Sequence, residues 1–534
     1  MTTPRIRYSL QYVQHLYDSR EDRTVLENLV RAWRGIQKLP YYHPNSFFSI
    51  ASFHGEPFRG PGVTEANWWG GYCNHGNILF PTWHRAYLLR LESALRSVPG
   101  CENVTLPFWD EAADTAQPIP TILTSPNFEL DGDSSNPLYS YALQEALIEN
   151  VAGADSRYTK PAGYETVRYP LSGLVGTEKD RTQTQVHNES YPDAEKNVDI
   201  LNQNVSAWLT GTVHITPDGD KTPYPDTTSV LARYKLCLEA PNYTVFSNTT
   251  SQTYHSKNKD PGDLQYVVSL ESPHNAIHLA VGGFYQKGED GLNANPIVGA
   301  NGDMGDNETA SFDPIFYFHH AFIDYTFWKW QQFHHKTAAG SLNIIDGYPG
   351  TIIPEGEGIP YLAPGTKLSM NTPLYPFRKS DQTYYSSDDV VDIETQLGYT
   401  YGPGSLDLPL FAPVGRLHEI QAQVDSFKRV RNVNRADYPG SFVIRTFVED
   451  HKGNKIEIGR DAILSRRNIA GCANCQNKLN VESIIPIYKG LEAALRGPKH
   501  DMELKYWAEI QTHDSLGGGL RDAPRGGGPI VEDL

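Results

Sequence analysis

The spacing of apolar positions divides the chain into a helical front, an irregular middle and a strand-rich end. From Thr24 to Leu39, Leu26, Leu29, Val30 and Trp33 repeat on one face and predict an amphipathic helix. From Thr82 a second stripe, His84, Leu88, Leu91 and Leu95, falls at i, i+4, i+7 and i+11, and Pro99-Gly100 ends it. Asp313-Pro314 predicts the opening of a third helix, with Asp as N-cap and Pro in the first turn, and Phe316, His320, Ile323 and Phe327 form its apolar row. The last two rows each contain a histidine, and a buried imidazole with no partner would cost about 1–3 kcal/mol.

Between Asp110 and Gln265 the chain is rich in Pro, Gly, Asn, Asp and Tyr, and only short pieces such as Tyr139 to Val151 keep a helical period. This predicts long excursions wrapped round a helical core. Past Gly402-Pro403-Gly404 the pattern turns to strands at Ser441–Val448, Asn454–Gly459 and Val481–Tyr488, with Gly453 at a turn. The expected fold is mainly α: a helical core over residues 1–402, a β-rich domain over 403–515, and a Gly/Pro-rich arm, extended or mobile, over 516–534.

The chain has 534 residues, of which 39% are hydrophobic and 11% aromatic, enough for a substantial core. A formal charge of -17 makes nonspecific binding to nucleic acid or anionic lipid unfavourable, so the expected partner is a small neutral molecule, with no nucleic acid and no membrane. The start lacks the apolar stretch of a secretory signal, and no apolar run is long enough to span a bilayer, which points to the cytoplasm. Five cysteines make no disulfide framework; Cys73, Cys101 and Cys237 are scattered, while Cys472 and Cys475 form a CxxC.

Two clusters carry candidate chemistry. The first runs Cys73-Asn-His75-Gly-Asn-Ile-Leu-Phe80-Pro-Thr-Trp83-His84-Arg85. The second is His274-Asn275-Ala-Ile-His278, followed by Phe312-Asp-Pro-Ile-Phe316-Tyr-Phe-His319-His320 and Asp324. On a helix His274 and His278 project from one face about one turn apart, where two imidazoles can share a metal. Neutral imidazole suits copper and zinc.

The segment His75 to Glu92 resembles the first copper signature of the tyrosinase family, and Asp313 to Asp324 resembles the second, both without gaps. The resemblance spans about the first 400 residues and closes with Tyr399-Thr-Tyr401-Gly, which looks like the family's terminal tyrosine motif. It implies a four-helix bundle holding a type 3 copper pair, with O2 as co-substrate. It also implies His75 and His84 as ligands of one copper, completed by His54 in Phe53-His54-Gly or, as the rival, His43. His274, His278 and His320 would hold the other copper, and His319, turned about 100° away on the helix, would support them by hydrogen bonding.

Cys73 matches the Cys-x-His that carries a thioether to the histidine ring in part of the family, here His75; a free buried thiol is the alternative. Glu271 and Asn275 match the pair that polarises a water for phenol deprotonation, or Glu271 caps its helix. Leu464 occupies the position of an apolar placeholder supplied by a covering domain, and Cys472 and Cys475 would deliver copper(I). The loop Asn301–Asn307 lies at the family's substrate gate, and its acidity would disfavour anionic substrates.

The implied activity is ortho-hydroxylation of monophenols and oxidation of o-diphenols to o-quinones, chemistry that feeds melanin, in a form latent through its C-terminal domain. A catechol or o-aminophenol oxidase stays open, as does a hemocyanin-like oxygen carrier. Self-association into a homo-oligomer is compatible with the sequence.

Overall fold

The computed structural model describes residues 3–55, 71–148, 157–211, 224–257, 266–286, 297, 299–354, 362–407, 416–438, 440–466, 478–513 and 527–534. Six helices matter for the site: α1 (Leu10–Ser19), α2 (Thr24–Lys38), α3 (Phe80–Leu95), α4 (Thr249–Lys257), α5 (Glu271–Val281) and α6 (Ile315–Phe333). α3 packs against α2 and α6, and α6 against α5, which makes α2, α3, α5 and α6 the helical core. All eleven residues of α5 are buried, as are nearly all of α6, so these two are the centre of the molecule. A helix buried on all sides must supply partners for any polar group it carries.

The periodic stripes locate these helices well. α3 begins two residues before the predicted start, since Pro81 fits its first turn, where a missing N–H is harmless. At α6 the N-cap is Pro314; the Asp313 carboxylate still accepts from the Ile315 N–H and is also gripped by Arg168 from the excursion, at 2.6 and 2.8 Å. Tyr139 to Val151 is a correction: residues 139–148 form no helix. Tyr141 and Leu143 pair with Thr166 and Tyr164 and Leu147 with Lys160, so cross-chain bonds take the backbone groups a helix would need.

The C-terminal part forms two three-stranded antiparallel sheets. With β1 (Val424–Asn434), β2 (Phe442–Glu449), β3 (Lys455–Ile463), β4 (Asn480–Tyr488), β5 (Tyr506–Thr512) and β6 (Ile530–Asp533), the orders are β4-β1-β6 and β5-β2-β3. The far end of the arm is thus an edge strand, registered on β1 from Ile530 opposite Arg431 to Asp533 opposite Lys428, with ion pairs from Lys428 and Arg431 fixing it. β3 packs on α5 and β4 on α4, which lays the sheets over one end of the helical core. Among the described residues no helix is long and apolar enough to cross a membrane.

Candidate metal centre

His54 sits just past the short helix Phe47–Ala51, where the chain turns back on itself. The Tyr72 and Cys73 N–H groups donate to the carbonyls of Phe53 and His54, which brings the Cys73–His75 segment alongside His54. Gly76 follows in the left-handed region at φ 61°, a conformation that suits glycine. His84 lies one turn into α3, His274 and His278 one turn apart on α5, and His320 in the second turn of α6.

These six rings form two abutting trios. His54, His75 and His84 have centroids 5.4, 5.5 and 5.3 Å apart pairwise. His274, His278 and His320 lie 4.5, 4.8 and 5.5 Å apart. The trios meet where His84 stacks on His320 at 4.5 Å and His75 faces His274 at 5.6 Å. His43 stays outside, its Nδ1 accepting from the Asn45 N–H in a surface turn.

The outer nitrogens show which inner ones are available. His84 Nδ1 bonds the Phe80 carbonyl at 2.8 Å, His278 Nδ1 the Met304 carbonyl at 2.9 Å, and His274 Nδ1 the Asn275 Oδ1 at 2.9 Å. A carbonyl acceptor fixes the N–H on that side and turns the Nε2 lone pair inward. The Nε2 atoms of His274 and His278 each lie 3.3 Å from His320 Nε2, so the lone pairs of His274 and His278 converge on one position beside His320. Nε2 of His75 and His84 and both ring nitrogens of His54 are buried with no protein partner among the described residues.

Burial, reinforced by neighbouring rings, holds His54, His75, His274, His278 and His320 well below the ordinary histidine range, and burial takes His84 down to about 3. Neutral, mutually facing, unpartnered imidazoles are a donor set for two transition-metal ions, and imidazole without carboxylate or thiolate suits copper. Groups of ligand atoms within 4.8 Å of one another occur as His54/His84/His320, His54/Cys73/His75 and His274/His278/His319/His320.

His319 takes the supporting place expected of it: Nδ1 meets Glu111 Oε1 at 2.6 Å while its ring stacks on His274 at 5.3 Å. Glu111 was not singled out in the sequence. Burial raises its carboxyl well above the usual range, and Tyr234 donates to it. The signal was the acid pair Asp110-Glu111 directly after the apolar run Leu106-Pro-Phe-Trp109, a place where acids need a reason. Phe80 lies 4.8 Å from His84 and 4.9 Å from His274, and Phe316 4.0 Å from His320 and 4.8 Å from His54, so the two rings close the centre against water.

The carboxylate of Glu271 does not cap its own helix, as the sequence alone allowed. Oε1 accepts from the Gly76 N–H at 2.7 Å, and Oε2 from the Thr249 N–H and hydroxyl at 2.9 and 3.0 Å, tying the His75 loop to α4 and α5. Cys73 is buried, its thiol pushed up by burial against the opposing pull of Arg466, and Asn307 Nδ2 approaches its Sγ at 3.7 Å. A cavity of about 300 Å³ opens beside His75, Glu271 and Asn275, and Leu464 lines it from the C-terminal sheets. Cys472 and Cys475 lie outside the described residues.

The loop Asn301–Asn307 differs from expectation. All seven residues are buried and their acids are used internally: Asp303 by Lys160 and Tyr164, Asp306 by Asn301 and Tyr158. Its negative charge therefore does not face a substrate. Instead it positions ligands, with the Met304 carbonyl on His278 and the Asn307 carbonyl pressed against Gly55. A Cβ on Gly55 would lie 1.6 Å from that oxygen. Gly55→Ala is therefore expected to displace the His54 turn, lowering the copper content of purified protein by up to half and destabilising it by about 1–3 kcal/mol, read by metal analysis and thermal melts.

Residues 44–333 match the family model described as the common central domain of tyrosinase. The chain is 46% identical to a tyrosinase of Hahella sp. over 525 residues, covering 95% of this chain and 91% of that one. It is 42% identical to a tyrosinase of Aspergillus oryzae over 486 residues, covering 87% and 86%. A solved structure of a tyrosinase from Burkholderia thailandensis at low pH superposes with a TM-score of 0.79 at 42% identity, covering 99% of this chain and 100% of that one.

Proposed function

The chain belongs to the tyrosinase family, and from that premise we propose that it is a copper-dependent tyrosinase, hydroxylating monophenols at the ortho position and oxidising o-diphenols to o-quinones with O2. His54, His75 and His84 hold one copper and His274, His278 and His320 the other. The observation that carries this reading is the pair of abutting imidazole trios whose inward nitrogens, among the described residues, have no partner but one another. When bound, the copper pair supplies O2 binding and the redox equivalents for both reactions.

The protein's own residues do the rest. Phe80 and Phe316 exclude water from the centre, and the cavity beside His75 admits a phenol. A phenol has a pKa near 10 and needs a base to become a phenolate. Three of the four acceptor positions on Glu271 are taken by Gly76 and Thr249. The fourth holds a water, with the Asn275 amide as its second partner, and the phenol proton passes to that water. Cys73 forms a thioether with the His75 ring in a two-electron oxidation, the thiol and ring hydrogens leaving as protons and the electrons going to O2, the co-substrate, and Cys472 and Cys475 pass copper(I) to the site, since thiolates favour that soft ion.

Residues 403–515 cover the centre, with Leu464 as placeholder. The cover is fastened by Lys478 Nζ to the His75 carbonyl at 3.0 Å, Arg233 to Asp461 at 2.8 Å and Lys257 to Glu482 at 2.6 Å. Limited proteolysis that removes residues beyond about 405 is expected to raise diphenol turnover about tenfold or more. Equal rates before and after would count against a latent form. The deciding assay is copper content together with oxygen uptake on tyramine and on catechol: uptake on catechol alone would leave a catechol oxidase, and reversible O2 binding without product would leave an oxygen carrier.

A further inference from the structure

The cavity beside His75 has an asymmetric charge lining. Among the described residues every acid on its wall is committed elsewhere: Glu271 to Gly76 and Thr249, Asp461 to Arg233 and Ser483, Glu482 to Lys257 and Arg429. Two cations on the wall have only neutral oxygens in hydrogen-bond contact, with the Glu271 carboxylate as the opposing charge near both. Arg435 donates to the carbonyls of Lys478 and Leu464 at 3.0 and 2.7 Å, and Lys478 donates to the His75 carbonyl at 3.0 Å. Among the described residues neither has an ion pair.

Buried cations without a carboxylate in contact are costly, and a ligand carboxylate would relieve that cost through charge-assisted hydrogen bonds. Burial lowers the Arg435 guanidinium to about 10, which leaves it charged near neutrality, and lowers the Lys478 ammonium to about 7, so Arg435 is the standing charge and Lys478 gains its proton fully when an anion sits beside it. Arg466, buried against Cys73, adds a third positive group to the same wall. The acidic loop Asn301–Asn307, turned inward on its own partners, adds no opposing charge to the cavity. Both cations of the pair come from the C-terminal sheets while His75, Glu271 and Asn275 come from the helical core, so the cavity is complete only when the two parts are together.

We propose that the C-terminal part is a selecting wall as well as a cover, and that Arg435 and Lys478 receive the carboxylate of phenols that carry one on a side chain remote from the hydroxyl. This deepens the reading of the site as phenol-binding and rests on it. The preferred class is the hydroxyphenyl-alkanoate type, over its neutral amides and esters. Arg435 and Lys478 are specificity determinants here.

The test is calorimetric titration of the copper-loaded full chain with 3-(4-methoxyphenyl)propionate, which keeps the carboxylate but has no oxidisable hydroxyl, and with its amide. The acid is expected to bind at least about tenfold more tightly. Arg435→Gln and Lys478→Gln should each shrink that ratio at least about threefold, while Arg435→Lys retains most of it. Acid and amide binding equally to the native protein, no binding of the acid, or a ratio unchanged in both glutamine variants, would overturn the proposal. Oxygen uptake on neutral catechol, measured on full-length and clipped protein, separates the two readings: uptake with equal binding of acid and amide removes only the carboxylate preference, whereas no uptake from either form removes the phenol oxidase reading itself.

Discussion

Replacing His320 by alanine is expected to reduce phenol turnover at least about a thousandfold and to halve the copper content, because this ring serves the interior of both trios at once. Its Nε2 is the atom on which His274 and His278 converge at 3.3 Å, and its face stacks on His84 at 4.5 Å. Removing it deletes one ligand, loosens the packing of a second and opens space beside Phe316, whose ring lies 4.0 Å away. Metal analysis with oxygen uptake checks this directly. A variant that keeps two coppers and most of its turnover would show that the centre has been misplaced. Glu111→Gln is the milder comparison, since it acts through His319, and a weakening of copper affinity by about 10–100-fold is expected.

Asp324→Ala is expected to be the most destabilising single change outside the metal centre, at about 3–5 kcal/mol. Arg85 Nε donates to its Oδ1 at 2.5 Å, the Tyr399 and Tyr401 hydroxyls donate to Oδ2 at 2.7 and 2.6 Å, and Arg7 Nη1 lies 3.5 Å from the same oxygen. All these groups are buried, so losing the carboxylate leaves Arg85 with backbone carbonyls and the face of Phe327, 4.1 Å away, but no anion to meet its charge. Arg7 would keep Glu92 at 2.7 Å, which limits the damage on that side.

The cluster also ties function to stability. Arg85 follows His84 on α3 and Asp324 lies one turn after His320 on α6, so their pairing sets the rotation of two ligand-bearing helices against each other. Urea melts of metal-free protein read the stability loss, and a shift below about 1 kcal/mol would mean that water repairs the gap. Asn in place of Ala keeps the shape and one of the two acceptor oxygens and should cost less.

The helices that carry the metal centre were legible because period and chemistry coincide in them. His84 and His320 each stand in an apolar row that a helix must bury, and His274 and His278 share a face by spacing alone. His54 was harder, since it lies in a turn without period, and a structure was needed to separate it from His43 by the backbone pairing of Phe53 and His54 with Tyr72 and Cys73. The strands around Ser441, Asn454 and Val481 were readable from β-branched runs. β1 and β5 were not, because Lys428, Arg429, Arg431 and Glu509 interrupt their apolar sides and find partners on other strands of their sheets, while Gln511 reaches the Tyr285 carbonyl beyond α5, contacts that exist only in the folded chain.

What the sequence determined by itself is which segments around the site are helical and which of their histidines stand on buried faces, because local spacing fixes the face a side chain occupies. The tertiary structure alone decided the roles of polar groups far apart in the chain. It turned the acids of Asn301–Asn307 inward onto Lys160 and two tyrosines, made Glu271 a clamp on the His75 loop, and brought Glu111 under His319. Charge acts through distance in space, and residues 208 positions apart, as His319 and Glu111 are, acquire a distance only when the chain has folded.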